Sequence, residues 1–364
     1  MEIVAAVVRE KSGTFEVEAL EIEAPRSNEV LVRIVGVGVC HTDLSCRDQM
    51  YPVPFPSVLG HEGAGVVEAV GENVTKVQPG DHVVLSYRSC GECRNCQKDD
   101  PSHCLRIFEC NFSGTRDDGS CTLHKGSEIL HGNFFGQSSF ASYALATEAN
   151  TIKVNKTAPL ELLGPLGCGI QTGAGAVMNS LQPEAGESLV VFGCGSVGLS
   201  AVMAAKIEGC EPIIAVDLNE ERLALALSLG ATHSINPMQV DVVEKVVDIT
   251  NGGADYSLEC TASPQVFRQA VDCLCVTGVC GLVGAAPMGT EVSLDMNSIM
   301  FGRTVKGIIE GDSIPDVFIP KMVELYLEGV FPIDRLISFY SLAEIDQAVA
   351  DSEQGKVIKA VLRP

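Results

Sequence analysis

Two cysteines and a histidine lie far apart in this chain, yet each sits in a context that suits metal chemistry. His61 belongs to Gly60-His61-Glu62-Gly63-Ala64-Gly65, an imidazole beside a carboxylate among glycines. Pro52, Pro54 and Pro56 precede it, too many prolines for a helix or a central strand, so a stiff irregular segment delivers the histidine to a fixed place. Cys40 lies upstream in Val39-Cys40-His41-Thr42-Asp43, and Cys168 far downstream in Leu166-Gly167-Cys168-Gly169. Two thiolates and one imidazole make three zinc ligands with a fourth position open, the ligand count of a catalytic site. Spacing alone also allows two buried cysteines and a hydrogen-bonded core histidine. The neighbours favour the metal: Thr42 offers a hydroxyl close to Cys40, and Asp43 and Glu62 are placed to orient the ligands.

A second group is compact. Cys90-x2-Cys93-x2-Cys96-x7-Cys104 lies on a loop with Gly91, Asn95 and Pro101. Four thiolates at this spacing can close a tetrahedral structural zinc without an apolar core beneath them. A redox Cys-x-x-Cys is the alternative, but it leaves the further thiols unexplained.

A third constellation reads a dinucleotide. Val190-Val191-Phe192-Gly193-Cys194-Gly195-Ser196-Val197-Gly198 is an apolar strand feeding G-x-G-x-x-G, and a helical pattern follows over 199–208. Gly193 permits the tight turn, Gly195 lets backbone approach a pyrophosphate, and Gly198 lets helix pack on strand. The helix N-terminus then faces the phosphates. Asp217, at the end of the next apolar run, would accept hydrogen bonds from the ribose hydroxyls and repel a 2′-phosphate, which selects NAD over NADP. Arg222 reaches the same ribose or the pyrophosphate, or is a solvated charge on a helix surface.

Around these groups the chain changes character near residue 161. Before it, 3–8, 14–20, 30–39, 66–70, 81–85 and 141–145 alternate like strands, with long irregular inserts. After it, apolar runs alternate with helical patterns (188–192, 196–208, 212–216, 220–229, 240–250, 256–259, 264–273, 279–283), the mark of βαβ units and a parallel sheet. The tail predicts helices over 315–327 and 343–351 and a last strand over 357–362. The length of 364 residues suits two domains, and a net charge of −22 argues against nucleic acid as a partner. No apolar run reaches transmembrane length and the N-terminus lacks a signal-peptide layout. The 15 cysteines are an odd number, and Cys194, Cys260, Cys273, Cys275 and Cys280 sit in apolar stretches as small hydrophobes. Cytoplasm is the expected compartment.

Together these residues resemble the zinc-dependent medium-chain alcohol dehydrogenases, and the resemblance covers essentially the whole chain. It is carried by Gly60-His61-Glu62, the four-cysteine lobe, Cys168, the turn at 193–198, Asp217, Gly302-Arg303-Thr304 and Gly355-Lys356-Val357-Ile358-Lys359. The family implies an α/β chain with a GroES-like β-rich catalytic domain, 1–168 and 311–364, carrying the structural zinc lobe at 90–104. A Rossmann doubly wound parallel-sheet domain, 169–310, is inserted in it, with the active site in the cleft between. It also implies homodimers or homotetramers that pair Rossmann sheets edge to edge, and two zinc ions per subunit, one catalytic and one structural. By position, Cys40, His61 and Cys168 match the catalytic zinc ligands and Thr42 the hydroxyl that passes the alcohol proton. Val197 and Thr172 match residues flanking the nicotinamide, and Lys359 stands where an arginine near the pyrophosphate is usual. His41 replaces another pyrophosphate-binding arginine, which weakens the grip on the cofactor. Ser45 replaces a relay histidine, so His41, a water or Ser45 itself carries the proton out.

The implied reaction is reversible hydride transfer from a zinc-bound alcohol to NAD. For the substrate, the positions that hold glutathione in the formaldehyde dehydrogenases fall at Tyr51 and Phe108, neither able to pair with its carboxylates. Ser86 replaces a bulky aromatic of the ethanol-type pocket, which predicts a wider cleft. With Ile309 these residues resemble the bacterial benzyl (aryl) alcohol dehydrogenases, so aromatic or allylic primary alcohols are expected. Plain packing is the other account of Tyr51 and Phe108. Glutathione-dependent formaldehyde oxidation, general aliphatic alcohol oxidation and a non-catalytic NAD-binding dimer are the alternatives.

Overall fold

Strand Glu29–Gly38 is the organising element of the first half of the chain in the computed structural model, which describes residues 1–364. Its residues are buried on both faces apart from Arg33 and Val35, because sheet neighbours and packed layers cover it on every side. The chain forms two compact units, Met1–Gly169 with Ile314–Pro364, and Ile170–Ser313.

The first unit is built on two sheets. In the larger, the order runs Thr151–Lys153, His82–Leu85, Gly63–Val70, Glu29–Gly38, Lys359–Arg363, Ile337–Ser341, and Tyr143–Thr147 also pairs with Glu29–Gly38. The smaller, five-stranded sheet holds Glu2–Val8 and Glu16–Ile22 at its centre. Most pairs are antiparallel. The final strand Lys359–Arg363 returns antiparallel to Glu29–Gly38, Val361 opposite Gly38 and Leu362 opposite Val37. That register sets Lys359 beside the segment leaving Gly38, where Val39 N–H donates to the Ala360 carbonyl.

The second unit is a six-stranded parallel sheet. Its order is His233–Ile235, Ile213–Val216, Leu189–Phe192, Ala254–Glu259, Leu274–Leu282, Thr304–Gly307. Counted along the chain this is 3-2-1-4-5-6, the doubly wound arrangement whose switch point lies beside Leu189–Phe192. Leu189–Phe192 and Ile213–Val216 are buried throughout, as strands covered on both faces must be. Helices Ser196–Glu208, Glu220–Leu229, Val242–Thr250 and Pro264–Asp272 supply the crossovers.

The structure adds elements that periodicity does not announce. Helices His41–Arg47 and Ile107–Phe112 are too short to show a 3.6-residue repeat, and strand Ile337–Ser341 and the hairpin Leu123–Lys125 with Glu128–Leu130 fall in stretches read as irregular. The strands expected over 14–20 and 141–145 begin two residues later, at Glu16–Ile22 and Tyr143–Thr147.

Candidate active site

Asp43 joins the two segments that carry the first ligands. Helix His41–Arg47 starts with Cys40 as its N-cap, and the Asp43 carboxylate turns back to accept the Cys40 N–H at 2.9 Å. Its other oxygen accepts the Gly60 N–H at 3.1 Å and lies 2.8 Å from His61 Nδ1. A carboxylate only accepts, so the imidazole proton sits on Nδ1 and Nε2 is left with a bare lone pair. Nε2 is buried and has no partner. Gln137 holds the same stretch from the other side, its amide nitrogen donating to the His61 carbonyl and its oxygen accepting the Gly63 N–H.

The donor atoms of Cys40, His61, Glu62 and Cys168 all lie within 4.8 Å of one another. The Cys40 thiol is held well below its usual range, first by its hydrogen bond with Cys168 and then, against burial, by the charge of Lys359. An orphaned imidazole nitrogen beside two thiols is the N/S set that zinc takes, and the residues present fit that ion.

Glu62 is fully buried behind the cluster and is answered by Lys359. The lysine Nζ lies 2.7 Å from Oε1 and 2.6 Å from Oε2, and the same ammonium donates to the Val39 carbonyl at 3.0 Å. Gly169 N–H donates to Oε1 at 3.0 Å. Burial pushes the Glu62 carboxyl up to about 7 although the Lys359 charge pulls the other way. Gly38 is required here, because a Cβ on it would stand 1.9 Å from Glu62 Oε2.

Three of the expected positions are buried. Lys359, expected at a pyrophosphate, is 3 % exposed, and its ammonium is engaged by Glu62 and Val39. Ser86, expected to widen a cleft, is wholly buried, and its hydroxyl donates to the Gly167 carbonyl at 2.7 Å, tying strand His82–Leu85 to the turn that presents Cys168. Ser45 is buried, whereas His41 is exposed at the start of the same helix and Thr42 is half-buried next to it.

The second cysteine group is equally well gathered. The sulfurs of Cys90, Cys93, Cys96 and Cys104 lie within 4.8 Å of one another. Backbone N–H groups point at them: Cys93 N–H at Cys90 Sγ, Cys90 N–H at Cys104 Sγ, Arg106 N–H at Cys104 Sγ. Such donors favour thiolate, and backbone N–H groups of Cys96 and Leu105 bring the Cys93 thiol down to about 6. At the neck of this loop Asn111 accepts the Arg88 N–H at 2.8 Å and donates to the Arg88 carbonyl at 2.9 Å.

In the second unit the glycine turn has the geometry its spacing requires. Gly193 adopts φ 93°, and a Cβ on Gly198 would stand 1.8 Å from the Gly193 carbonyl oxygen. Gly195 faces open space and precedes helix Ser196–Glu208. Asp217 accepts the Cys194 N–H at 2.6 Å on one oxygen and the Asn219 N–H at 2.9 Å on the other. Arg222 is half-buried and its Nε has no partner. Thr172 is buried in a helix whose Gly173 packs directly on the Val197 carbonyl, which brings those two expected cofactor residues to one place.

Residues 26–156 match the alcohol dehydrogenase GroES-like domain, and residues 196–328 match the zinc-binding dehydrogenase domain. The chain is 47% identical over 361 residues to a geraniol dehydrogenase of Castellaniella defragrans, covering 98% of this chain and 96% of that one. The chain belongs to the zinc-dependent alcohol dehydrogenases. Among solved structures of that family, an alcohol dehydrogenase zinc-binding domain protein from Burkholderia ambifaria superposes with TM-score 0.98 at 56% identity, covering 100% of this chain and 99% of that one. Benzyl alcohol dehydrogenase from Acinetobacter calcoaceticus does so with TM-score 0.97 at 50% identity and the same coverage.

In this alcohol dehydrogenase the cluster at His61 continues into aromatic rings. Phe135 stacks on the imidazole, centroids 4.4 Å apart, and Phe134 meets it edge-on at 5.5 Å. Tyr51 and Phe108 lie 6.5 Å apart, and Phe112 stands between them and the Phe134–Phe135 pair. Phe108 is 61% exposed, so the array runs from the buried ligand to the surface. Ile309 lies in the other unit, at an exposed position just before the turn Glu310–Asp312. Sequence reasoning missed Phe112, Phe134 and Phe135; the Phe134-Phe135 doublet and the four-residue spacing of Phe108 and Phe112 were the available signals.

Proposed function

We propose that this enzyme oxidises aromatic and allylic primary alcohols to aldehydes, reversibly, with NAD. The observation that carries the reading is the unbroken line of aromatic rings from His61 to the exposed Phe108. Rings arranged edge-on and tilted favour a flat π-system over a flexible alkyl chain of equal size. Tyr51 and Phe108 bring no charge to this face, which disfavours the carboxylates of a glutathione adduct. The relatives named for geraniol and benzyl alcohol, one allylic and one benzylic, agree with it.

Cys40, His61 and Cys168 would hold the catalytic zinc, and the four clustered cysteines the structural one. Bound there, zinc supplies the Lewis acidity that lowers an alcohol's pKa, and NAD supplies the hydride acceptor. The rest falls to the protein. Asp43 keeps the His61 proton on Nδ1, Thr42 takes the alcohol proton, and exposed His41 passes it to water. The turn at 193–198 binds the pyrophosphate, and Asp217, whose oxygens each keep a free lone pair, accepts the ribose hydroxyls.

The same reading extends to a homo-oligomer. Strand Thr304–Gly307 ends the parallel sheet, and Met300, Phe301 and Val305 are exposed on and beside it. An uncovered apolar edge of this kind pairs with its own copy. The cysteines are all free and two thiolate clusters suit reducing conditions, which supports a cytoplasmic enzyme.

Steady-state kinetics with benzyl alcohol, cinnamyl alcohol, geraniol, ethanol and S-(hydroxymethyl)glutathione, each with NAD and NADP, test the proposal. The expected order of kcat/KM places the first three highest, with NAD. A higher kcat/KM for the glutathione adduct or for ethanol overturns it. Light scattering of the purified protein reads the oligomer, and a monomer at micromolar concentration overturns that part.

A further inference from the structure

Phe112 is the node of the aromatic array. Its ring lies 5.9 Å from Tyr51, 5.3 Å from Phe108, 6.0 Å from Phe134 and 5.2 Å from Phe135. Its ring thus meets both the outer pair, half-buried Tyr51 and exposed Phe108, and the pair that contacts His61. Remove it and Phe135, at φ 51° on the left-handed side, keeps two of its three ring contacts, those with Phe134 and the imidazole.

The backbone beneath Phe112 is held with unusual care for so short a helix. Ile107–Phe112 makes fewer than two turns, so its own hydrogen bonds do little to fix it. The adjacent Asn111 is fully buried and makes three bonds, two to the Arg88 backbone and one, from its amide nitrogen, to the Ile107 carbonyl at 2.7 Å. This clamp sets the azimuth of the helix, and with it the direction in which Phe108 and Phe112, four residues apart on one face, project.

We propose that Phe112 is a specificity-determining positioning residue: through its four ring contacts it sets the angle of Phe135 over His61 and of Tyr51 at the outer end, and so selects alcohols with a π-system next to the carbinol carbon. The proposal rests on the aryl and allylic reading above. Phe112 acts through its neighbours, and its effect falls on how firmly the flat part of the substrate is held.

The test compares benzyl alcohol with cyclohexylmethanol, nearly the same size without the π-system. In Phe112→Leu the ratio of kcat/KM values, benzyl over cyclohexylmethyl, is expected to fall about tenfold, the worth of one or two aromatic contacts, and mainly through a higher KM for benzyl alcohol. Phe112→Tyr, which keeps the ring, should hold the ratio within about twofold of wild type. Phe112→Met fills the same space without a ring and repeats the reading if leucine at 112 disturbs folding, with zinc content and thermal unfolding as the checks. A ratio unchanged in both ringless variants, or an equal loss on both substrates, overturns the role of Phe112 alone. A wild-type enzyme with no preference for benzyl alcohol overturns the substrate reading on which it rests.

Discussion

Lys359 and Glu62 form an ion pair sealed from water, with the ammonium 2.6 Å from one carboxylate oxygen and 2.7 Å from the other. The pair exists because the last strand returns beside Glu29–Gly38 in a single register, and because Gly38 has no side chain to occupy the space of the carboxylate. It sets a fixed positive charge behind a cluster of two thiols and an imidazole.

Removing one member strands the other. Lys359→Met should cost about 3–5 kcal/mol in urea unfolding, since an uncompensated buried carboxylate remains. Adding Glu62→Gln to it should recover much of the loss. An additive double variant would show that the two residues do not act as a pair.

Asp43 accepts from His61 Nδ1, from Cys40 N–H and from Gly60 N–H, so it orients two ligands at once. Asp43→Asn is expected to weaken zinc retention at the catalytic cluster by about 10–100-fold, measured by competition with a chromophoric chelator. The four-cysteine site should keep its metal in the same experiment.

The four-cysteine loop should be separable in the opposite sense. Cys96→Ser is expected to lose the metal held there and to lower the thermal midpoint by roughly 5–10 °C, while chelator competition finds the catalytic cluster intact. Loss of metal from both clusters would contradict the independence of the two sites.

Asp217 serves two purposes, and its replacement should reveal both. Asp217→Gly frees the Cys194 and Asn219 N–H groups and removes the charge facing a 2′-phosphate. KM for NAD should rise by about tenfold or more, and the kcat/KM preference for NAD over NADP should shrink.

Glu148 gives a pH signature. Its carboxylate accepts the Lys76 and Thr75 N–H groups, at 2.5 Å each, and these hold its pKa below the usual 4.5. A lowered folded-state pKa means the contribution to stability is whole above the unfolded value and is lost as pH falls below it toward the folded value. Stability against urea should therefore decline in acid below about pH 4.5 less steeply in Glu148→Gln than in wild type.

What could be read from the chain depended on how local the signal was. Cys90, Cys93, Cys96 and Cys104 declare themselves because a metal loop is written in consecutive spacing, and Gly193, Gly195 and Gly198 because each answers a steric need within one turn. The doubly wound sheet showed itself through alternating runs that are buried on both faces. The Glu62 partner of Lys359 stayed hidden because it is fixed by strand register across almost the whole chain. Ser86 was misread because its small size, seen alone, suggests an opening, whereas a buried hydroxyl must find an acceptor and finds Gly167. Phe112 stayed silent because its importance is a count of neighbouring rings, which only folding brings together.

The clasp between Arg88 and Asn111 has a consequence for how this chain can be rebuilt. Both ends of the cysteine loop are held at a single point, so whatever lies between them hangs from a closed neck. Loop length adds only slowly to the entropy of closing such a neck. The stretch can then be shortened, lengthened or exchanged for a different metal-binding sequence as an interchangeable cassette, provided the asparagine and the backbone it grips are left in place.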